Sequence, residues 1–350
     1  MANTETDALR RHLLDGQVIP AMPLALRDDR TWSPRHQRAL VRYYLDSGAG
    51  GLAVGVHSTQ FEIRQPEHGL FEPVLSFCAR AIDENLPSGR PFARIAGICG
   101  PTAQAEREAA FAREHGYEAG LLSLSALATE GDRTLLDHCR TIARILPVVG
   151  FYLQPAIGGR SYGYAFWRAF VEIENVVAVK VAPFDRYATL DVVRALADSG
   201  RSDIALYTGN DDNIIHDLLT PFRFNGTTLR FSGGLLGQWA IGTRRAVDLL
   251  ASLQGGEGDH AYWAERNAAL TDFNSAIFDP SHRFAGCLSG MNEMLRRDGL
   301  VPSRSCLEPG EVLSPGQAEE LDRVSAAYPE WQDSAFIREN LPRWLDGPDE

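Results

Sequence analysis

The chain of 350 residues alternates short runs rich in valine, isoleucine, alanine and glycine with longer segments of helical spacing. The short runs predict eight buried strands, at residues 18–22, 51–56, 93–99, 119–123, 148–152, 176–181, 204–208 and 227–232. Strands that alternate with helices are typical of a parallel sheet, because each connection between parallel strands must cross back over the sheet. Eight such units predict an α/β fold, a (β/α)8 TIM barrel in preference to an open, doubly wound sheet.

The connecting segments have the apolar spacing of amphipathic helices. Between the strands they cover residues 34–47, after the cap candidate Ser33, and residues 73–84, 103–115, 131–146, 164–172, 189–199 and 211–219. Beyond residue 232 the same spacing covers residues 237–253, 261–278, 284–298 and 317–327. We therefore expect a barrel over residues 12–235 and a helical C-terminal extension, residues 236–350, that packs on it.

Composition limits the partners of such a chain. Its formal net charge is −12, whereas nucleic acids and anionic membranes bind cationic surfaces. No apolar stretch approaches the roughly 20 residues that cross a bilayer. The N-terminus is polar and lacks the apolar segment of a signal peptide. We expect a soluble, cytoplasmic protein that binds neither nucleic acid nor membrane.

The five cysteines are an odd number, are widely spaced and include no Cys-x-x-Cys pair. This spacing indicates neither a disulfide framework nor a zinc site. His68, Glu72 and His216 also lack ligand-like spacing with one another. We expect no metal site.

Lys180 is the only lysine, since every other member of the 34 lysine and arginine residues is arginine. It stands among valines in the predicted strand 176–181. An ammonium group there loses hydration and its pKa falls, and the neutral amine can attack a carbonyl carbon, which a guanidinium cannot do. The pattern indicates Schiff-base chemistry. Composition alone also allows a chance survivor of arginine-rich codon usage, with the Lys180 ammonium reaching the strand end.

Lys180 ends the sixth predicted strand and Tyr152 ends the fifth, so both side chains would point into the mouth where barrel enzymes have their active sites. Residues 151–155 read Phe-Tyr-Leu-Gln-Pro, residues 175–180 read Asn-Val-Val-Ala-Val-Lys, and Lys180 follows Tyr152 by 28 positions. With x any residue and ϕ an apolar one, this pair resembles the Tyr-Asn-x-Pro and Asn-ϕ-ϕ-Gly-ϕ-Lys motifs of the dihydrodipicolinate synthase / N-acetylneuraminate lyase family of class I aldolases.

The resemblance continues in chain order through five further segments, residues 16–26, 48–54, 209–212, 234–237 and 299–304. It therefore spans roughly residues 12–325. It implies that Lys180 condenses with the keto group of a 2-oxo acid, usually pyruvate. It also implies that Tyr152 shuttles protons to and from the bound substrate. The family's mechanism needs no cofactor and no metal.

The loop after the second strand departs from the family. Where the family has Gly-Thr-Thr-Gly-Glu, residues 56–60 read Val-His-Ser-Thr-Gln. The resemblance therefore places His57 and Ser58 at the carboxylate of the 2-oxo acid. Ser58 offers a hydroxyl group, and His57 offers either a cation or an acid/base group. Alternatively, His57 only hydrogen-bonds a loop carbonyl.

Two further departures concern polar groups. Leu-Ser-Ala-Leu at residues 124–127 stands where the family often has Thr-Pro-Tyr-Tyr, whose tyrosine enters the neighbouring subunit's site. Dihydrodipicolinate synthase activity itself is therefore not expected, and the pocket should be larger and less polar. Ile157 replaces the arginine that follows the Tyr-Asn-x-Pro motif. Arg160 is a displaced candidate for binding an acidic group of the substrate through paired hydrogen bonds.

Asp211 follows the seventh strand, with Asp212 beside it. In sugar-acid members of the family, acidic residues of this loop accept hydrogen bonds from substrate hydroxyls, so the resemblance favours a polyhydroxylated substrate. The alternative is that the Gly-Asn-Asp-Asp-Asn turn at residues 209–213 only caps the next helix.

Three functions fit these residues. The first is a class I lyase that forms a Schiff base between Lys180 and a 2-oxo acid and makes or cleaves a carbon–carbon bond. The second keeps the imine but dehydrates or hydrates a sugar acid or a related 2-oxo acid. The third is a non-catalytic barrel that binds a small molecule or a partner protein. We favour the first, with a small-molecule 2-oxo acid as partner and, by the resemblance, a homo-oligomer (dimer or tetramer).

Overall fold

The structure is a computed structural model that describes residues 4–348. Over these residues the strands are β1 Val18–Pro20, β2 Gly51–Val54, β3 Ala93–Ile98, β4 Ala119–Leu122, β5 Val148–Leu153, β6 Val176–Ala182, β7 Ala205–Thr208, β8 Phe222–Phe224, β9 Thr227–Leu229 and β10 Gly233–Leu236. The helices are α1 Thr4–Leu14, α2 Pro34–Asp46, α3 Phe71–Asn85, α4 Thr102–Glu114, α5 Asp132–Ala143, α6 Tyr164–Phe170, α7 Arg186–Ser199, α8 Ile214–Leu219, α9 Thr243–Gln254, α10 His260–Phe278, α11 Cys287–Arg297, α12 Gln317–Ala327 and α13 Ser334–Trp344.

Eight parallel strands form a barrel in the order β1-β10-β7-β6-β5-β4-β3-β2. A parallel bridge between Ala21 and Ala53 connects the two ends of this sheet. There the Met22 N–H donates to the Ala53 carbonyl at 2.8 Å. Helices alternate with the barrel strands, as the crossover connections of a parallel sheet require. The predicted TIM barrel with a helical C-terminal region is confirmed.

The prediction of the eighth barrel strand at residues 227–232 is wrong. β9 pairs antiparallel with β8, and β10 takes the place in the barrel. Asn225 and Gly226, between β8 and β9, have φ angles of 46° and 81°, and this Asn-Gly pair is a strong hairpin signal. Gly233 has weak strand propensity, but a Cβ atom there would lie 2.2 Å from the Gln17 carbonyl oxygen. Because only glycine allows the backbones to approach this closely, packing outweighs the low strand propensity of Gly233 in β10.

Helix α1, which the sequence did not predict, fills the end of the barrel where the strands begin. Leu9 and Leu13 of this helix belong to the apolar cluster inside the barrel. The Tyr207 hydroxyl donates to the Leu13 carbonyl at 2.9 Å, and the Arg10 guanidinium donates to the carbonyl of Glu174, just before β6. Because one end is filled in this way, the cavity described below lies at the opposite end.

The C-terminal helices pack on the barrel. Helix α10 contacts α8, α11 and α12, and α13 contacts α2, where the Trp344 indole N–H donates to Asp46 at 2.6 Å. Helix α13 was not predicted. Among residues 4–348, no helix combines the length and the apolar character that crossing a bilayer requires. The extension matters for the site because α10 and α11 reach over the barrel mouth.

Candidate active site at the barrel mouth

A cavity of about 70 Å³ lies at the carboxyl ends of the barrel strands. Its polar lining consists of His57, Ser58, Gln154, Lys180 and Asp211. The barrel and its loops supply the apolar and glycine lining Ala21, Val56, Phe151, Leu153, Ile157, Ala182, Phe184, Gly209 and Gly237, and the C-terminal segment adds Phe278, Phe284, Cys287 and Met291. A few convergent polar groups in an apolar pocket are typical of a small-molecule site.

A β-bulge turns Lys180 into the barrel. Val148 pairs with Val176, but Val149 pairs with Ala178, so Val177 is an extra residue in β6. Val177 and Ala178 both belong to the apolar cluster inside the barrel, as does Ala182. Strict alternation from Val177 would direct Lys180 outward, since successive side chains of a strand point to opposite faces. The bulge shifts this alternation by one residue, and Lys180 lines the cavity instead.

The Lys180 side chain is half-buried, and no described residue provides a fixed anion for it. Its Nζ lies 4.5 Å from the centroid of the Phe151 ring, and no hydrogen bond or ion pair joins it to another residue within 4–348. Gly209 provides the space for it, since a Cβ atom there would lie 2.7 Å from Lys180 Cε. Burial lowers the pKa of Lys180, and the charge of Asp211 opposes part of this change. The neutral amine is therefore more accessible near neutral pH than in an ordinary lysine.

Asp211 lies on the loop after β7, on the same cavity. The Asn274 amide donates to its backbone carbonyl at 2.7 Å, and the Gln238 backbone N–H makes a long, 3.5 Å hydrogen bond to its carboxylate. Burial raises the pKa of Asp211, although the Lys180 charge opposes the rise. The cap of helix α8 is Asn213, without a side-chain bond, so Asp211 does not cap this helix. The position of Asp211 therefore fits the site prediction better than the helix-cap alternative.

His57 and Ser58 stand in a short 3-10 turn directly after β2. Burial and the nearby Lys180 charge lower the pKa of His57 to about 4, so its imidazole is neutral at pH 7. The Ser58 hydroxyl donates to the Met22 carbonyl at 3.2 Å. Two neutral groups that can donate hydrogen bonds thus border the cavity beside Lys180.

The predicted position of Tyr152 in the barrel mouth is wrong. Its side chain lies between β5 and the helices, is 1% exposed and packs on Tyr162 and Trp167. The Tyr152 hydroxyl donates to the Tyr162 carbonyl at 3.2 Å and accepts from the Tyr162 N–H at 3.1 Å. Neighbouring strand residues face opposite sides, so Phe151 points into the cavity and Tyr152 points away from it.

Arg160 does not lie on the cavity either. Its guanidinium donates to the carbonyls of Ala128 and Glu130, pairs with Asp132 at 2.8 Å and lies over the Tyr162 ring. These contacts hold it against the loop after β4 and the start of α5, because a planar guanidinium satisfies several acceptors at once. Ile157, at the place of the family's arginine, lines the cavity as an apolar residue.

Sequence reasoning did not identify the apolar residues of the site. Phe151 is next to the motif tyrosine, and alternation along β5 is the signal that could have identified it. The residues from the C-terminal segment have no motif, and helical spacing alone does not reveal that α10 and α11 reach the mouth. The described residues 4–348 contain no group of three or more His, Cys, Asp or Glu side chains that could hold a metal ion.

No protein-family profile and no curated protein matches this chain by sequence. Its fold is similar to that of several solved structures. A dihydrodipicolinate synthase from Oceanobacillus iheyensis is 16% identical, with a TM-score of 0.72 over 93% of this chain and 99% of the other. An N-acetylneuraminate lyase from Fusobacterium nucleatum complexed with pyruvate is 16% identical, with a TM-score of 0.70 over 90% and 97%. A dihydrodipicolinate synthase variant characterised as monomeric is 17% identical, with a TM-score of 0.72 over 89% and 97%. The chain thus shares the barrel fold of dihydrodipicolinate synthases and N-acetylneuraminate lyases, and it is not a close match to dihydrodipicolinate synthase itself.

Proposed function

We propose that this protein is a class I lyase in which Lys180 forms an imine with a 2-oxo acid and a carbon–carbon bond is then made or cleaved. One observation carries the proposal: the only lysine of the chain is turned by a bulge into the cavity at the barrel mouth, where its ammonium has no ion pair among the described residues. The structural neighbours add support, because one of them, a lyase, was solved with pyruvate.

Imine formation begins with the neutral amine. The Lys180 Nζ lone pair forms a bond to the carbonyl carbon, and the carbonyl oxygen leaves as water after two proton transfers. The lowered pKa of Lys180 increases the fraction of amine that can react. The protonated imine is again a cation. The face of the Phe151 ring and the Asp211 carboxylate both stabilise a cation at this place.

Ser58 and His57 are the candidates for binding the substrate carboxylate. In the proposed complex, the Ser58 hydroxyl exchanges its 3.2 Å bond to the Met22 carbonyl for a bond to the carboxylate. His57, neutral at pH 7, donates one ring N–H. Hydrogen bonds from neutral donors together with the iminium charge would orient the 2-oxo acid, although the described lining of this cavity contains no arginine.

Proton transfer requires an acid/base group, and Asp211 is the carboxyl group in the lining of this cavity. Its raised pKa lets it hold a proton closer to neutral pH and release it to a base or to the substrate. We assign to Asp211 the role that the family resemblance gave to Tyr152. Because the hydroxyl of Tyr152 is bonded to the backbone of Tyr162, it is not available for this role.

Borohydride trapping with pyruvate tests the proposal. Hydride reduces an imine to a stable secondary amine, so intact mass and peptide mapping should find the adduct on the peptide that contains Lys180. Lys180→Arg is the matched control, since it keeps the positive charge but cannot form the imine. A folded wild-type protein that gives no Lys180 adduct with any 2-oxo acid would contradict the proposal. Product analysis then separates cleavage, which releases pyruvate and an aldehyde, from dehydration, which keeps the carbon skeleton.

A further inference from the structure

A second cavity, which we call the outer cavity, adjoins the one that contains Lys180. It has a volume of about 80 Å³. Its lining is Phe184, Asp211, Asp212, Thr271, Asn274, Ser275, Phe278, Pro280 and Phe284. Phe184, Asp211, Phe278 and Phe284 also line the Lys180 cavity. The two cavities therefore share a boundary that is mainly aromatic.

Two of these phenylalanines have unusual backbone conformations. Phe184, after β6, has a φ of 50°, and Phe284, before α11, has a φ of 66°. Their ring centroids lie 5.7 Å apart. A positive φ is disfavoured for bulky residues and persists only where the surrounding structure imposes it, and such residues cluster at functional sites.

Buried polar residues hold both backbones in place. The Phe184 N–H donates to the Asn210 side chain at 3.0 Å, and Asn210 donates in turn to the fully buried Asp217 at 2.9 Å. The Phe284 N–H donates to the Asp279 carbonyl at 2.9 Å, and the Asp279 carboxylate accepts from the Gly286 N–H at 3.1 Å. The backbones of both phenylalanines are thus held before any ligand binds, which lowers the entropic cost of ordering this boundary.

The described lining of the outer cavity contains no basic side chain that could pair with an acidic group at the far end of the substrate. Lys180 and His57 are the basic side chains of the described lining residues, and both lie in the inner cavity. Asp211 and Asp212 belong to the lining of the outer cavity, but the surface exposed to this cavity is almost entirely apolar. A second anionic group would lose its hydration there and find no basic partner among the described lining residues. An uncharged substituent avoids this desolvation cost and can bury apolar surface.

We propose that the substrate is a 2-oxo acid with an uncharged apolar substituent, preferably an aromatic ring, that extends into the outer cavity and packs against Phe184, Phe278 and Phe284. This proposal rests on imine formation at Lys180. It deepens that function by naming a substrate class, and it replaces the expected polyhydroxylated substrate. Aromatic rings suit such a boundary because offset and edge-to-face ring contacts add to the area buried.

Competitive borohydride trapping tests this proposal with three probes: 2-oxo-4-phenylbutanoate, pyruvate and 2-oxoglutarate. Each adduct is quantified on the Lys180 peptide and normalised to trapping on a free lysine derivative, which removes differences in intrinsic reactivity. We expect half-saturation at a concentration about tenfold lower for the phenyl acid than for pyruvate, because its ring buries apolar surface in the outer cavity whereas pyruvate leaves that cavity empty. The labelling should be weakest with 2-oxoglutarate.

Variants of the outer cavity test whether its aromatic residues cause the preference for the phenyl acid. Phe284→Ala should reduce the ratio of phenyl acid to pyruvate labelling by about tenfold, with Phe284→Leu as a second, better packed variant. Phe224→Ala, in the β8–β9 hairpin, is the matched control and should keep the wild-type ratio. Equal labelling by pyruvate and the phenyl acid, or a preference for 2-oxoglutarate, would overturn the proposal while leaving the imine intact. Absence of any Lys180 adduct would instead overturn the proposed function.

Discussion

Lys180 and Phe151 are directly paired on strands β6 and β5, and the Lys180 Nζ lies 4.5 Å from the centroid of the Phe151 ring. An aromatic face attracts a cation, but a phenylalanine ring carries no proton to transfer. The pair therefore favours charge stabilisation next to the amine, and it leaves proton transfer to another residue of the cavity. The family resemblance had assigned that step to the neighbouring tyrosine.

Tyr152→Phe distinguishes the two assignments. We expect this variant to trap pyruvate at the wild-type rate within about twofold, because the hydroxyl lies outside the cavity. Its free energy of unfolding should fall by about 1–3 kcal/mol, since the buried Tyr162 N–H loses its acceptor. Chemical denaturation and trapping kinetics measure the two effects. Loss of trapping at unchanged stability would return the proton shuttle to Tyr152.

Asp211→Asn should separate imine formation from turnover. The Asp211 charge raises the pKa of Lys180, so its removal should shift the pH–rate curve of borohydride trapping toward lower pH, by about one pH unit. Turnover, once a substrate is known, should fall by about 100-fold or more because the acid/base group is gone. Trapping rates across pH measure the first effect and steady-state kinetics the second.

Asp212→Asn is the control for this prediction, because it removes a neighbouring exposed carboxyl group that lines only the outer cavity. Its trapping curve should stay close to that of the wild type. A curve for Asp211→Asn that moves toward higher pH, or does not move, would exclude the proposed electrostatic contact with Lys180.

Gly209→Ala tests the packing that positions the amine. The new Cβ would lie 2.7 Å from both Lys180 Cε and Ala182 Cβ, so the lysine must change its rotamer. We expect a loss of about 1–3 kcal/mol in stability from overpacking and a trapping rate at least about tenfold lower, since reaction depends on orientation. Gly310→Ala, where a Cβ meets nothing within 4 Å, should match the wild type in both measurements. Wild-type trapping by the Gly209 variant would refute this role.

Lys180→Met should change how stability depends on pH. The pKa of Lys180 is lowered in the folded protein, so between that value and the ordinary 10.5 the unfolded chain binds more protons. The wild type therefore gains stability relative to Lys180→Met as pH rises through this window, by about 1 kcal/mol or more. Urea denaturation of both proteins at several pH values measures the difference. A difference that falls as pH rises would mean that the folded state stabilises the ammonium.

Prediction from sequence succeeded where it depended on local pattern. The alternating apolar runs predicted the barrel, and the valine-rich run around Lys180 predicted that this residue lies near the end of β6. The directions of the Lys180 and Tyr152 side chains depend on strand register, because a shift of one residue moves a side chain to the opposite face of the sheet. The bulge at Val177 turns Lys180 inward, and the amino-acid composition does not reveal it. In β5, which has no bulge at this place, strict alternation directs Tyr152 outward.

Other differences between the predicted and the observed structure result from tertiary packing. The eighth barrel strand contains Gly233 and Gly234, which propensity disfavours, whereas the β9 segment with Thr227 and Thr228 forms a surface hairpin. Phe278 and Phe284 reach the cavity only because the C-terminal helices fold over the mouth. The division at residue 235 and the homo-oligomer stay predictions.

A crystal structure of the protein after borohydride trapping with pyruvate would show whether Lys180 forms the imine and which residues surround it. We expect continuous density from Lys180 Nζ to the former carbonyl carbon of the ligand, with its carboxylate near Ser58 and the Phe151 ring beside the new bond. We also expect the Tyr152 hydroxyl to stay bonded to the Tyr162 backbone. Ligand density on the amine of the N-terminus alone, or a ligand in contact with the Tyr152 hydroxyl, would contradict the proposed roles of Lys180 and Tyr152.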